Sequence, residues 1–363
     1  MTMLDNIPDA RANVRVLVVD DSAFMRKALS KMLSIHPNLE VTATARNGAE
    51  ALDVIRQKDP DIVTLDVEMP VMDGLSTLKV IMREMPRPVL MVSSITTEGA
   101  QVTLEALSLG AVDFIPKQCS FVSLAITKIE QELCEKVYRL GRRRQRVRLG
   151  ARPIISSTVQ PSPRRLGSHQ AVVIGSSTGG PSALEKLLAQ IPRDFPLPIL
   201  IVQHMPRLFT QSLAERMDRV CALPVCLAQP DMPVQGGHIY IAPGEEHLTV
   251  ERVGTRVLCR LAAGPVNKPH CPSVDVLFSS AARVYGRSGL GIILTGMGND
   301  GQAGAIDMVA QGGMILAQNE ESCVVYGMPK AVTDTGLAKL SCDLDCLAGH
   351  LKQYCPKLSG VTK

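Results

Sequence analysis

The sequence predicts an α/β protein built from two doubly wound parallel-sheet domains. Three observations predict it: short Val/Ile/Leu runs alternate with helical patterns, aromatic residues are scarce, and a polar, basic stretch interrupts the alternation midway. Parallel strands covered by helices on both faces read as continuous aliphatic runs, and each right-handed crossover returns the next strand parallel to the last. The chain has 363 residues, 3% aromatic residues and no Trp, so its cores must be built from Val, Ile, Leu, Ala and Met. That length accommodates two domains, each with its own core.

The first domain is expected over residues 13–138. Its strands are VRVLVVDD, LEVTATA, DIVTLDV, PVLMVSS and AVDFIPK, and its helices run from Ala23 to Leu33, Ala49 to Gln57, Gly74 to Met82, Gly99 to Leu109 and Phe121 to Tyr138. Residues 139–168 mix Arg, Ser, Pro and Gly without sustained apolar periodicity and read as a basic, solvated linker. The second domain, 169–363, resumes the alternation with AVVIGSS, LPILIVQH, LGIILTGMG and GMILAQN as buried strands. GHIYIAPGEEHLTVERVGTRVLCRL reads as antiparallel β structure inserted into the wiring of that sheet.

Composition narrows the function classes. Ten cysteines occur without a CxxC pair, which indicates neither a zinc ribbon nor a disulfide framework and fits free thiols in a reducing compartment. The N-terminal stretch lacks the charged-then-apolar order of a secretory signal, and no apolar run approaches membrane-spanning length. A soluble cytoplasmic protein without membrane insertion is expected. The net charge of +4 is small, but no acidic residue lies between Glu135 and Glu185, where Arg residues crowd. A nucleic-acid-binding output is one reading of that stretch. Its Pro/Ser-bearing composition favours a connector instead, so no nucleic-acid partner is expected.

Ligands of parallel sheets bind beyond the carboxyl ends of the strands. In the first domain those positions hold Asp20 and Asp21, Asp66, Ser93 and Lys117. Converging carboxylates need a cation, and an all-oxygen, partly hydrated set suits Mg2+, which would stabilise a phosphoryl group placed on Asp66. Taken alone, Asp20 and Asp21 could merely cap the helix that follows.

The same test applied to the second domain selects Ser176-Ser177-Thr178, His204 and Asp300. That is the composition of a nucleophile, a general base and the group that orients the base. Each member has a plainer role available: Ser177 as a helix N-cap, His204 as an edge-of-core histidine, Asp300 as an Asn-Asp-Gly turn residue. Position selects His204 among seven histidines, since it directly ends a long apolar run. The turn Gly175 to Gly179 fits G-x-S-x-G, whereas the G-x-G-x-x-G and Walker patterns of a phosphate cradle are missing. The order Ser, His, Asp differs from that of α/β-hydrolases.

Several motifs carry a resemblance. VLVVDDSAFMRKAL, TLDVEMPVMDGL, PVLMVSS and DFIPK resemble a response-regulator receiver domain, which is flavodoxin-like. GSSTGGP, IVQHMP, YIAPG, GPVNKPHCPSVDVLF, ILTGMGNDG and LAQNEESCVVYGMP resemble the catalytic domain of CheB-type chemotaxis methylesterases, a Rossmann-like fold with a β-hairpin insertion. The resemblance implies that Asp66 is the phosphoacceptor, that Asp20, Asp21, Asp66 and the backbone carbonyl of Glu68 arrange Mg2+, and that Ser93 and Lys117 complete the switch. It further implies Ser177 as nucleophile, His204 as base and Asp300 as third member, with Thr178 and the Met297 backbone supporting the oxyanion. The implied reaction is hydrolysis of γ-glutamyl methyl esters on chemoreceptors, with related glutamine deamidation and no cofactor. A histidine kinase would donate the phosphoryl group, and the unmodified receiver would inhibit the esterase. Two departures stand out: Gln118 follows Lys117 where receivers usually carry Pro, and Ser176 replaces the family's usual Ala.

Overall fold

The computed structural model describes residues 13–117, 125–148, 169–264 and 270–354; Gln118 lies outside them. The chain divides into two compact units, residues 1–94 with 109–152, and residues 95–108 with 153–363. In chain order the first ten elements are β1 (Val14–Val19), α1 (Ala23–Leu33), β2 (Leu39–Ala45), α2 (Gly48–Lys58), β3 (Ile62–Asp66), α3 (Gly74–Glu84), β4 (Val89–Ser94), α4 (Thr97–Ser108), β5 (Asp113–Lys117) and α5 (Ala125–Arg148).

The five strands form one parallel sheet in the order β2-β1-β3-β4-β5. The aliphatic runs of β1, β3 and β4 are buried along their length, as strands covered on both faces must be. Short polar side chains start the helices: Ser22, Asn47 and Asp73 accept the N–H groups of Met25, Glu50 and Ser76. The order reverses between β1 and β3, so the chain leaves a crevice at their carboxyl ends.

Helix α5 continues ten residues past Tyr138, into the stretch expected to be linker. Leu140 is buried, and Gly141 lets the helix approach β1, because a Cβ there would lie 2.1 Å from Val14 Cγ1. Farther along, Arg144 binds Asp59 at 3.0 Å and the Pro60 carbonyl, and Gln145 binds Asp61 at 2.8 Å. These partners lie in the loop before β3, far away in sequence, which is why local periodicity does not reveal the extension.

On the same helix the buried Lys136 ammonium lies 2.9 Å from Asp113 Oδ2 and 2.7 Å from Glu132 Oε1, and donates to the Phe114 carbonyl at 3.1 Å. Replacing Lys136 with Met strands the buried Asp113 carboxylate. A loss of about 3–5 kcal/mol is expected, measured as a lower denaturant midpoint of the receiver unit. An unchanged midpoint would show the pair to be dispensable.

The later elements are β6 (Ala171–Ser176), α6 (Gly180–Leu188), β7 (Ile199–Gln203), α7 (Arg207–Val220), β8 (Val225–Leu227), β9 (Ile239–Ile241), β10 (Glu246–Val253), β11 (Arg256–Ala263), α8 (Val274–Tyr285), β12 (Gly289–Ile293), α9 (Gln302–Ala310), β13 (Met314–Gln318), α10 (Met328–Asp334), β14 (Ala338–Cys342) and α11 (Leu344–Lys352). Seven strands form a parallel sheet ordered β14-β13-β12-β6-β7-β9-β8. Helices α6, α7 and α11 form one packed group, and α8, α9 and α10 another.

The expected inserted antiparallel segment is corrected in part. Ile239-Tyr240-Ile241 is a strand of the main sheet, parallel to β7 and β8, and only β10 and β11 form an antiparallel pair, as a separate two-stranded sheet. That hairpin rests on α8, where the Val250 N–H donates to Ser280 Oγ at 3.1 Å. Strands β8 and β14 were not anticipated. One has only three residues, and the other, AKLSC, is half-buried apart from the exposed Lys339, so neither shows the aliphatic run of a central strand.

Candidate active site

Four adjacent strands, β1, β3, β4 and β5, deliver the acidic cluster. Asp20 and Asp66 are buried and Asp21 is exposed, and one carboxylate oxygen from each lies within 4.8 Å of the others. Lys117 Nζ sits 2.9 Å from Asp20 Oδ2 and 2.7 Å from Asp66 Oδ2. Ser93 is buried near the end of β4, level with Pro116 of β5. The exposed Glu68 side chain is not part of the cluster.

Burial pushes the Asp66 carboxyl up to about 6, although the hydrogen bond and charge of Lys117 pull it down; the neighbouring Asp20 charge adds to the rise. Burial alone would lower Lys117, but Asp66 and Asp20 together raise it above its usual range. Both directions follow from one imbalance. The ammonium is shared between two carboxylates, so it gains twice while each carboxylate is only half compensated. Three carboxylates against one ammonium leave net negative charge beside hard oxygen donors, and that donor set fits a small divalent cation.

In the second unit, Ser176 ends β6, Gln203 ends β7, and Asp300 follows β12, which is the other neighbour of β6. Three contiguous strands therefore bring Ser177, His204 and Asp300 to one edge. The main chain ties the first two together: the His204 N–H donates to the Ser176 carbonyl at 3.1 Å, and the Gln203 amide donates to the carbonyls of Ser177 and His204 at 3.0 and 3.2 Å.

The two serines have different surroundings. Ser176 is fully buried and its hydroxyl donates to Gln203 Oε1 at 2.7 Å. Ser177 lies one residue past the strand and is half-buried. Gly296 packs directly on it, since a Cβ at that glycine would lie 2.9 Å from Ser177 Cβ. The loop carrying Met297 is thereby held against the turn.

His204 Nε2 and Asp300 Oδ2 are 2.7 Å apart, with both side chains buried. Asp300 also accepts from Val274 N–H at 2.7 Å, Ser273 Oγ at 2.9 Å, and the N–H groups of Asp275 and Gly301 at 3.1 Å. Burial raises the Asp300 carboxyl, but the bond and charge of His204 and the Val274 and Asp275 N–H groups outweigh it and hold the group well below the usual carboxylate range. An ionised Asp300 requires the proton of neutral His204 to sit on Nε2, which leaves Nδ1 as the basic nitrogen. Among the described residues this buried Nδ1 has no hydrogen-bond partner. The structure thus joins His204 to Asp300 but does not close a hydrogen bond between Ser177 and His204, a link that commonly tightens only with substrate bound.

Thr178 is buried, and among the described residues its hydroxyl has no hydrogen-bond partner. Sequence reasoning assigned no role to Gln203, Ser273, Asp275 or His270. The His270 ring stacks on His204 at 4.2 Å between centroids, with 14° between planes. Asp275 Oδ1 accepts the N–H groups of Gly301 and Gly304 at 2.9 Å each, tying the Asp300 loop to α8. Ser273 lies in the quoted PSVDVLF phrase, where a serine just before a helical apolar pattern was a usable N-cap signal. Here its hydroxyl serves Asp300 instead of its own helix.

Known proteins share this layout. A response regulator receiver domain model matches residues 16–127, and a CheB methylesterase model matches residues 172–351. The protein-glutamate methylesterase/protein-glutamine glutaminase 1 of Oleidesulfovibrio alaskensis is 49% identical over 359 residues, covering 92% of this chain and 97% of its own. Enzyme 2 of the same name from Nitratidesulfovibrio vulgaris is 49% identical over 360 residues, covering 93% and 98%. The crystal structure of the Thermotoga maritima CheB methylesterase catalytic domain aligns with a TM-score of 0.50 at 40% identity, covering 51% of this chain and 98% of that one. This chain therefore belongs to the family of protein-glutamate methylesterases/protein-glutamine glutaminases in which a response regulator receiver domain precedes a CheB methylesterase domain.

Proposed function

We propose that this chain hydrolyses γ-glutamyl methyl esters of chemoreceptors in chemotaxis adaptation, and deamidates specific glutamines there, by a Ser177–His204–Asp300 mechanism under control of phosphorylation at Asp66. The observation that carries the catalytic half is the 2.7 Å bond between His204 Nε2 and Asp300, which leaves Nδ1 as the basic nitrogen of a residue whose main-chain N–H donates to the Ser176 carbonyl. In the reaction Nδ1 takes the Ser177 proton as Oγ attacks the ester carbonyl. The oxyanion is met by main-chain N–H groups of Thr178 and Met297, which have no acceptor among the described residues. His204 returns the proton to the departing methanol, and water then releases glutamate from the acyl-enzyme. An amide follows the same course, with ammonia leaving.

For control, Asp66 is the phosphoacceptor, fed by a histidine kinase. Asp20, Asp21, Asp66 and the Glu68 carbonyl are the residues that would hold Mg2+, whose charge would stabilise the phosphoryl oxygens when bound. Ser93 and Lys117 are assigned to contact the phosphoryl group. The domain assignment behind this reading is receiver up to residue 138, connector 139–168 and esterase 169–363, with α5 reaching into the connector. Among the described residues no helix is long and apolar enough to cross a membrane, so the receptors are reached without a spanning segment in that part of the chain.

The test is methanol release from methylated receptor membranes with and without a small-molecule phosphodonor and Mg2+. Asp66→Asn should abolish the rise caused by the phosphodonor, and chelation of the metal should do the same to wild type. A full response in Asp66→Asn would reject Asp66 as the acceptor, and wild-type protein that releases no methanol from methylated membranes even with phosphodonor and Mg2+ would reject the esterase assignment.

A further inference from the structure

We infer that His247 and Ser273 form a buried arm that aims the Asp300 carboxylate at His204, so that both are positioning residues for hydrolysis. The inference rests on the proposed role of Ser177, His204 and Asp300.

His247 lies in β10 and Ser273 immediately before α8, and both are buried. The Ser273 N–H is 3.1 Å from His247 Nδ1. A main-chain N–H can only donate, so Nδ1 must be the unprotonated nitrogen, and the proton of the neutral ring sits on Nε2. The imidazole is thus fixed as an acceptor toward Ser273. Ser273 in turn donates its hydroxyl to Asp300 Oδ1 at 2.9 Å. The next two N–H groups of the same turn reach both carboxylate oxygens, Val274 to Oδ2 at 2.7 Å and Asp275 to Oδ1 at 3.1 Å. Three of the donors that orient Asp300 therefore belong to one turn, and His247 anchors the first residue of that turn from the hairpin.

The physical need is plain. A carboxylate rotates easily about its terminal bond, and its value to His204 depends on one oxygen facing Nε2. Donors on one rigid turn hold that rotation; an acceptor buried in a neighbouring element holds the turn. Removal of His247 Nδ1 would leave a buried N–H unpaired, and the turn would move to satisfy it.

The test uses the full-length protein and two substitution pairs. His247→Leu removes the acceptor and His247→Asn keeps a carbonyl near the Nδ1 position; Ser273→Ala removes the hydroxyl and Ser273→Thr keeps it. The readouts are the rate of covalent labelling of Ser177 by a fluorophosphonate, kcat and KM for methanol release, and the thermal midpoint. His247→Leu and Ser273→Ala should lower labelling rate and kcat by about tenfold or more with KM little changed, while Asn and Thr recover most of the loss. Folded His247→Leu or Ser273→Ala protein that reacts within about twofold of wild type overturns the inference, as does a loss that Asn and Thr do not recover. If His247→Leu does not fold, the Ser273 pair decides alone. Wild-type protein that resists labelling would instead overturn the assignment of Ser177, a result separable from the variant comparison.

Discussion

Ser177→Ala is expected to lower the rate of methanol release by about 10⁴–10⁶-fold, whereas Ser176→Ala should stay within about tenfold of wild type. The contrast follows from where the two hydroxyls sit. Ser176 is the last residue of a central strand, fully buried, and its proton is committed to Gln203 Oε1. It is not free to attack a carbonyl, and its loss only removes one partner of a buried amide that still binds two carbonyls. Ser177 stands past the strand end, where a substrate can approach, with the Gly296 loop against it and a basic imidazole nitrogen in the same edge of the sheet. The measurement is single-turnover and steady-state methanol release from methylated receptor membranes for both variants. Near-normal turnover by Ser177→Ala would remove the nucleophile assignment, and a collapse in Ser176→Ala alone would transfer it to the neighbouring hydroxyl.

Asp300→Asn is expected to cost about 10⁴ in kcat and to destabilise the esterase unit by about 1–3 kcal/mol. Every group around this carboxylate is a donor: His204 Nε2, Ser273 Oγ, and the N–H groups of Val274, Asp275 and Gly301. An amide nitrogen in place of either oxygen must meet at least one main-chain N–H that cannot reverse its role. Placed at Oδ2 it also faces His204, and it can be accommodated only if the proton moves to Nδ1, which removes the base. The pH dependence provides a second readout. Asp300 is held below its ordinary value of 3.8 in the folded chain, so it contributes stability that is fully present above that value and is lost as pH falls toward its folded pKa. The unfolding midpoint of wild type should therefore drop in strong acid more steeply than that of Asp300→Asn. Parallel curves, or turnover by Asp300→Asn within tenfold of wild type, would mean that the carboxylate neither orients nor charges the imidazole.

Several features of this protein could be read without coordinates because they are consequences of local pattern and connectivity. Aliphatic runs such as VRVLVV, ILIVQ and LGIIL announce buried parallel strands, and right-handed crossovers then force their carboxyl ends to one edge. Asp20, Asp66 and Lys117 meet for that reason, and so do the ends that carry Ser177, His204 and Asp300. Strand β8 escaped, since three residues give no period to detect, and β14 because it carries no aliphatic run; the last turns of α5 escaped because Asp59 and Asp61 reach them from elsewhere in the chain.

The sequence by itself determined the α/β class, the doubling of the sheet and the strand-end residues of both sites, because periodicity and chain direction suffice for these. Only the tertiary structure decided which serine is committed to Gln203, which nitrogen of His204 is basic and what holds Asp300. Those answers depend on hydrogen bonds between residues tens of positions apart, such as Ser176 with Gln203 and Ser273 with Asp300. The direction of a single proton is set by every donor around it, and those donors are assembled only when the chain has folded.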